Sequence, residues 1–472
     1  MCVRALQAGF LRMCVMGDWI TFPNGKKGRR AWENDTHRVA AWQSLLRSAH
    51  DVLPRPFCDC RHHGHNLELV VRRTVRKERG QLAEAYHLAR MPRQGGLHYI
   101  DCPFHEVDPR QSGQAAYAPG VVQEMSDGSL RVALRRGLAI RDVAQAPSTI
   151  ERDSARDSAA GRRAARPRQS RMTELGLLHL LWEKSGTNSW HRGIGRARMW
   201  WPGVRQRVMN AASDIMVGRG CPLGEYLVLI GYGDEDGPAL LREKAQSCGQ
   251  NWRMLLLGKV DSLRTLRSRP KPGQPGRPYT SLRFDGAQDY HLMVSASEDW
   301  LTRLSRRFPR AMHALDQERA DRKIGVIGLV TANVQIRRDG TKLSVMAWAD
   351  DIALMEVEPE TLIPVESGYE LQITRALVEA KRAFTKPLRF DAGNDVVHPD
   401  FILTDTHDPR GTPMEVFGRD DDRYLTRKAE KVAYYEEVYG VRHWWSWDVA
   451  CSPRQWPPFP PAAPDGQGDE DE

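Results

Sequence analysis

No run of 18 or more apolar residues occurs anywhere in this 472-residue sequence, which excludes a membrane-spanning helix of ordinary length. A secretory leader is not expected either. The first fifteen residues, MCVRALQAGFLRMCV, set Arg4 and Arg12 inside a short apolar stretch and offer no small-residue cleavage site. They read as a dispensable upstream extension, with Met16 as an alternative start. Cysteine is sparse, 8 in 472 residues, too few for a disulfide framework. The way some of them cluster points instead to metal in a reducing, cytoplasmic compartment. Internal repeats are absent, which removes solenoids and propellers.

What is present is ordinary for a globular protein: 41% hydrophobic and 27% charged residues, with a formal charge of +9. The length suggests roughly two to four domains, and the basic excess, densest mid-chain, fits a polyanionic partner such as nucleic acid. After an N-terminal extension (1–50), residues 51–150 alternate strand-like runs such as NLELVVRRT and LHYIDC with turn signals, as a β-rich module does. The Arg- and Ser-dense segment 151–171 reads as an exposed linker. A middle domain (172–320) opens with helical spacing at Leu175, Leu178, Leu181 and Trp182. It continues with a helix over about Val204 to Met216, buried strands at 226–232 and 253–257, a Pro/Gly loop at 269–278 and a helix from Ser297 to Phe308. Residues 321–450 begin with a hairpin turning at Asp339-Gly340. The Pro-rich, then acidic tail (451–472) has too little apolar surface to fold.

Cys58 and Cys60 (FCDC), with Cys102 and His105 (CPFH), form two half-sites of soft ligands that can enclose one tetrahedral zinc. Such a structural zinc supplies folding energy that a small segment lacks. His62, His63, His65 and His98 read as surface histidines, and Cys2, Cys14, Cys221, Cys248 and Cys451 have no partner at a metal spacing.

Toward the C-terminus, Ser367 and Glu370 make a capping box ahead of a helix whose apolar face includes Ile373 and Leu377. KPLRFD, HPDFILTD and PMEVFG follow as short strands and put Asp400 and Glu415 on neighbours. Paired carboxylates of this kind can share magnesium or manganese, which activates water for phosphodiester hydrolysis. The next helix offers Lys428 and Lys431 to orient that water. RHWWSW reads as the last strand.

Over roughly 365–450 this order resembles the PD-(D/E)XK nuclease superfamily. The resemblance implies Asp400 and Glu415 as metal ligands, Lys428 first and Lys431 second as the lysine, and Glu370 assisting. Phe417 stands where the superfamily's lysine usually sits. FCDC, CPFH, LLHLLWEKSGTNSW, KPLRFD, PDF and EVFG together resemble the family called domain of unknown function 1173, which implies a plasmid or integrative-element context. The expected fold is thus α+β and multidomain: a zinc-stapled β module, a mainly helical middle and a PD-(D/E)XK-like α/β core. The expected function is metal-dependent DNA cleavage. The alternative is a non-catalytic nucleic-acid-binding or docking protein using the Arg-rich 151–171 with Trp182, Trp190, Trp200 and Trp201. Asp350 and Asp351 in AWADDIALM resemble the paired aspartates of reverse transcriptases only locally.

Overall fold

Short strand-forming runs near the N-terminus gather into one sheet of order β2-β1-β3-β4-β5. Its strands are β1 (Trp19–Thr21), β2 (Lys27–Arg29), β3 (Phe57–Cys58), β4 (Leu67–Glu78) and β5 (Gln81–Arg90). The computed structural model describes residues 19–463 apart from several stretches, of which the longest are 106–116, 140–170, 193–200 and 389–397. A helix over Val39–Ala49 buries Trp42 and Leu46 against Ile20, Leu69 and Tyr86. Residues 19–50, expected to be an extension, therefore supply part of this module's core.

Across the expected boundary at 151–171, β7 (Leu130–Val132) pairs in parallel with β9 (Ile215–Val217). Strands β6 (Val122–Glu124) and β10 (Cys221–Pro222) complete that second sheet. The segment 151–170 itself lies outside the described residues. The expected helix after Thr173 forms over Glu174–Lys184, capped by Thr173 Oγ1 accepting from the Gly176 N–H at 3.2 Å. The next helix spans Trp201–Ser213 and stops short of Met216, because Ile215–Val217 is claimed by the sheet.

The middle of the chain is not mainly helical. Its largest body is a barrel in which β12 (Arg253–Arg267), β13 (Pro278–Phe284), β14 (Leu292–Ala296), β16 (Lys342–Val357) and β15 (Gly325–Asp339) pair in that order. Closure comes from β15 pairing back onto β12. The helical expectation rested on 173–216, whereas the closing partners are far apart in sequence. Strand β12 serves both sides: Arg253–Lys259 pair with β15, and Val260–Arg267 pair with β13, with a register shift between Val260 and Ser262 where the partner changes. Helices over Trp300–Arg307 and Pro309–Asp316 connect β14 to β15. This is a five-stranded Greek-key barrel of the OB type, extended by β11 (Leu227–Ile230) lying parallel to β12. Met254, Leu256, Val260 and Phe284 fill its interior, while Leu255, Leu257, Ile327 and Leu329 face the Glu174–Lys184 and Trp201–Ser213 helices. The hairpin expected to open the last domain thus belongs to the barrel.

The C-terminal unit runs helix (Gly368–Glu379), β17 (Phe384–Thr385), β18 (Phe401–Leu403), β19 (Thr412–Phe417), helix (Asp422–Val438) and β20 (Trp445–Asp448). Strands β17, β18 and β19 are antiparallel neighbours, β20 joins β19 in parallel, and β8 (Ser189–Trp190) adds an edge beside β17. The proline-rich stretch after Cys451 lies on this core, contrary to the expectation that the tail does not fold. Trp456 and Phe459 pack against Trp447 and Trp445, and Pro457 O accepts from Trp445 Nε1 at 3.2 Å. Two aromatic rings anchor what the prolines leave without N–H donors. Residues 464–472 lie outside the described residues.

Candidate functional site

Two clusters of chemically capable side chains are buried, one at each end of the chain. In the first, β3 carries Cys58 and the bend after it carries Cys60, while two successive turns deliver His98 and Cys102. The His98 N–H donates to Gly95 O at 3.4 Å and the Cys102 N–H to Tyr99 O at 2.8 Å. The Cys58 and Cys102 sulfurs lie 3.6 Å apart, and His98 Nδ1 is 3.1 Å from Cys60 Sγ and 3.5 Å from Cys102 Sγ. All four ligand atoms fall within 4.8 Å of one another and all four residues are buried.

Sulfurs bound tetrahedrally at ~2.3 Å from a zinc stand about 3.8 Å apart, so the donor set and its spacing are consistent with a structural zinc. The fourth donor is His98 and not His105. The tight turn at Gly95–Leu97 and the turn ending at Cys102 place residues 98 and 102 on the same side. His105 sits in the following turn, its N–H donating to Cys102 O at 2.9 Å. His62, His63 and His65 lie outside the described residues. Burial first, then hydrogen bonds to Cys58 and Cys60, pushes the Cys102 thiol well above its usual range. The hydrogen bond from Cys102, with those from Cys58 and His98, pulls Cys60 far down. Three such sulfurs cannot all ionise together in a dry pocket without a cation.

The second cluster lies at the sheet of the C-terminal unit. Ser367 Oγ accepts from the Glu370 N–H at 3.0 Å, as the capping box predicts. The Glu370 carboxylate accepts from the Glu366 N–H at 2.8 Å and pairs with Lys386 Nζ at 2.8 Å. Lys386 is only 1% exposed and lies 5.2 Å from the Phe401 ring centre. Asp400, at the threshold of β18, accepts from the Val416 N–H at 2.8 Å. Glu415 on β19 accepts from Lys431 Nζ at 2.7 and 2.8 Å and from the Tyr435 hydroxyl at 2.8 Å.

Burial, then the nearby Asp400 charge, raises Glu415 to about 7 against the opposing pull of Lys431 and Tyr435. Glu370 is likewise raised by burial, offset by Lys386 and reinforced by Asp400. Glu370 and Glu415 therefore each feel the Asp400 charge. Lys428, expected to be the first choice of lysine, turns away: it pairs with Asp448 at 2.5 Å and lies over the Phe417 ring at 5.0 Å. Lys431 stands at Glu415 in its place and also donates to His398 O at 2.9 Å. Sequence reasoning quoted KPLRFD, which begins at Lys386, but gave that lysine no role. Tyr435, one turn beyond Lys431 on the same helix, has no role in that reasoning.

Residues 28–450 match the family described as Protein of unknown function (DUF1173). The chain belongs to this family. Comparison with curated proteins and with solved structures gives no match. The DUF1173 match covers both clusters and the barrel between them. Among its described residues no helix is long and apolar enough to cross a membrane.

Elsewhere, three of the four tryptophans weighed for nucleic-acid contact are packed within the fold. Trp182 is fully buried and its Nε1 donates to Leu362 O at 3.0 Å, Trp201 is 6% exposed, and Trp190 stacks on Phe384. Trp200 lies outside the described residues. Asp350 and Asp351 sit at a register shift in β16, where Arg253 pairs with Asp350 and Arg307 with Asp351 at 3.3 Å.

Proposed function

We propose that this DUF1173 protein is a metal-dependent nuclease that hydrolyses phosphodiester bonds in DNA, with the C-terminal unit as its catalytic core. The observation that carries the reading is the convergence of Glu370, Asp400 and Glu415, all buried, with Lys386, Lys431 and Tyr435, delivered by two helices, strand β19, the end of β17 and the start of β18. The order helix, three antiparallel strands, helix and parallel strand supports the superfamily resemblance, and a plasmid or integrative-element context goes with it.

Carboxylate oxygens fit a hard cation in kind, and Asp400 and Glu415 are the residues to hold magnesium or manganese. The cation, when bound, supplies Lewis acidity and an activated water. Both Glu415 oxygens are engaged by Lys431 and Tyr435, so a cation and Lys431 compete for that carboxylate. In this reading Lys431 replaces the lysine absent at Phe417, and Glu370 with Lys386 fixes the helix over the sheet.

The buried Phe417 favours one second reading, a DNA-binding core without catalysis. Cleavage of labelled single- and double-stranded DNA, with magnesium or manganese added or omitted, separates the two. Wild type cuts only with the cation, and Asp400→Asn and Lys431→Met each lose about a hundredfold or more in rate while keeping the wild-type melting temperature within a few degrees. No cutting, or equal cutting by wild type and Asp400→Asn, sinks the nuclease reading.

A further inference from the structure

Among the described residues, two helices cover one outer flank of the OB-type barrel, while those over Gly237–Cys248, Trp300–Arg307 and Pro309–Asp316 pack onto its interior cluster. The helices over Glu174–Lys184 and Trp201–Ser213 pack against the first half of β12 and its β15 partner. The opposite flank, made by the second half of β12 with β13, β14 and the first half of β16, carries an exposed side chain on each strand: Arg264, Arg283, Met293 and Trp348.

Register sets out that surface. Arg264 lies opposite Ser281, Ser281 opposite Ser295, and Ser295 beside Trp348. One row over, Met293 lies beside Met346, with Arg283 one residue beyond the Leu282–Val294 pair. Leu266 lies opposite Tyr279. Trp348 is 44%, Met293 48% and Leu266 45% exposed. Large apolar side chains on a solvent-facing sheet call for a ligand when they cluster. Here Met293 and Trp348 sit on adjoining strands and Leu266 two strands away, with the small Ser281 and Ser295 in the row between.

The charged side chains that the patch itself carries are arginines. Arg264, Arg267, Arg283 and Arg337 are exposed, and among the described residues no ion pair holds them. The adjoining loop between β12 and β13 adds the exposed Arg269 and Arg277. The described side chains of β13 and β14 include no acid. The acids beside the patch are Glu298 and Asp299, after the end of β14, and Asp350, two residues beyond Trp348; Arg303 pairs with Asp299 at 2.8 Å and Arg253 with Asp350.

An exposed indole and thioether ringed by free guanidinium groups matches a polyanion that also offers flat apolar faces. A single nucleic-acid strand has both, whereas a duplex hides its base faces in the stack. Barrels of this type commonly bind oligonucleotides on the second and third strands and the adjoining loops. Fold analogy alone assigns no function, and it is the side chains that carry the argument. We propose that the β13–β14–β16 face of the barrel binds single-stranded DNA, stacking bases on Trp348 and its apolar neighbours and holding phosphates with Arg264 and Arg283. The choice of DNA over RNA rests on the proposed nuclease activity, and the binding face does not.

The test is fluorescence anisotropy with a labelled oligothymidylate of about 20 nucleotides and the full chain carrying Asp400→Asn, so that the result does not depend on cutting. Trp348→Ala is expected to weaken binding about tenfold, the loss of roughly one stacked base. Arg264→Ala with Arg283→Ala is expected to weaken it and to reduce the slope of log affinity against log salt by about 0.7 per charge. Both variants should melt with the parent, since all three side chains are exposed. Unchanged affinity in Trp348→Ala, or a duplex of the same sequence bound as tightly as the single strand, overturns the proposal. Tighter binding of an oligouridylate overturns the choice of DNA.

Discussion

Cys58, Cys60, His98 and Cys102 show how much one residue identity can depend on a turn. Buried thiols and an imidazole stripped of water are costly unless a cation neutralises the sulfurs, and the binding free energy of such a metal is folding free energy. Cys60→Ser is therefore expected to remove the bound zinc and to abolish hydrogen-exchange protection in β3, β4 and β5, leaving the barrel protected. Zinc lost with protection retained would show that apolar packing around Trp42 suffices. The cysteines were legible in the sequence because soft ligands in close pairs have few other uses in a reducing compartment. The histidine was not, since His98 stands four residues before Cys102 and His105 three after, and either spacing can reach one ion. Lys428 and Lys431 repeat the lesson. They share a helix face, and periodicity cannot say which meets Glu415 and which meets Asp448.

Among the elements, those specified locally were read well. The capping box at Ser367 begins its helix, the Pro/Gly loop separates β12 from β13, and the short runs around Asp400 and Glu415 become β18 and β19. The barrel escaped notice because its closure joins β12 to β15 and β14 to β16, pairings without a local signature. One residue nonetheless marks it. Gly258 lies where β12 leaves β15 for β13, and a Cβ there would stand 2.7 Å from the Ile230 carbonyl oxygen and 2.8 Å from the Phe284 ring. Backbone on one side and a buried aromatic on the other leave no room to yield. Gly258→Ala is expected to destabilise the protein by about 1–3 kcal/mol through overpacking, read by denaturant unfolding. Gly96→Ala, which meets nothing within 4 Å, is the control and should change little.

At the scale of the whole molecule, the sequence reads as modules in series, but the pairings interlace them. β7 lies before the Arg-rich segment and β9 after it, Arg72 pairs with Asp214 at 2.7 Å, and Asn210 donates to Glu33 at 2.9 Å. Farther on, β8 completes the sheet of the C-terminal unit, and Asn188 Nδ2 donates to Lys386 O at 2.8 Å. Linear composition cannot reveal such exchanges, because a two- or three-residue strand carries almost no periodic signal of its own. The interlacing has a measurable consequence. If a protease site is engineered within 151–170 and cut, the ladder between β7 and β9 and the core they share with Leu181 and Val208 should hold the fragments together. They are expected to co-elute in native size-exclusion chromatography and to separate only in denaturant. Fragments that part under native conditions would mean that the contacts across this boundary contribute too little to offset the entropy released by cutting the chain, and that the N-terminal module is an independent domain after all.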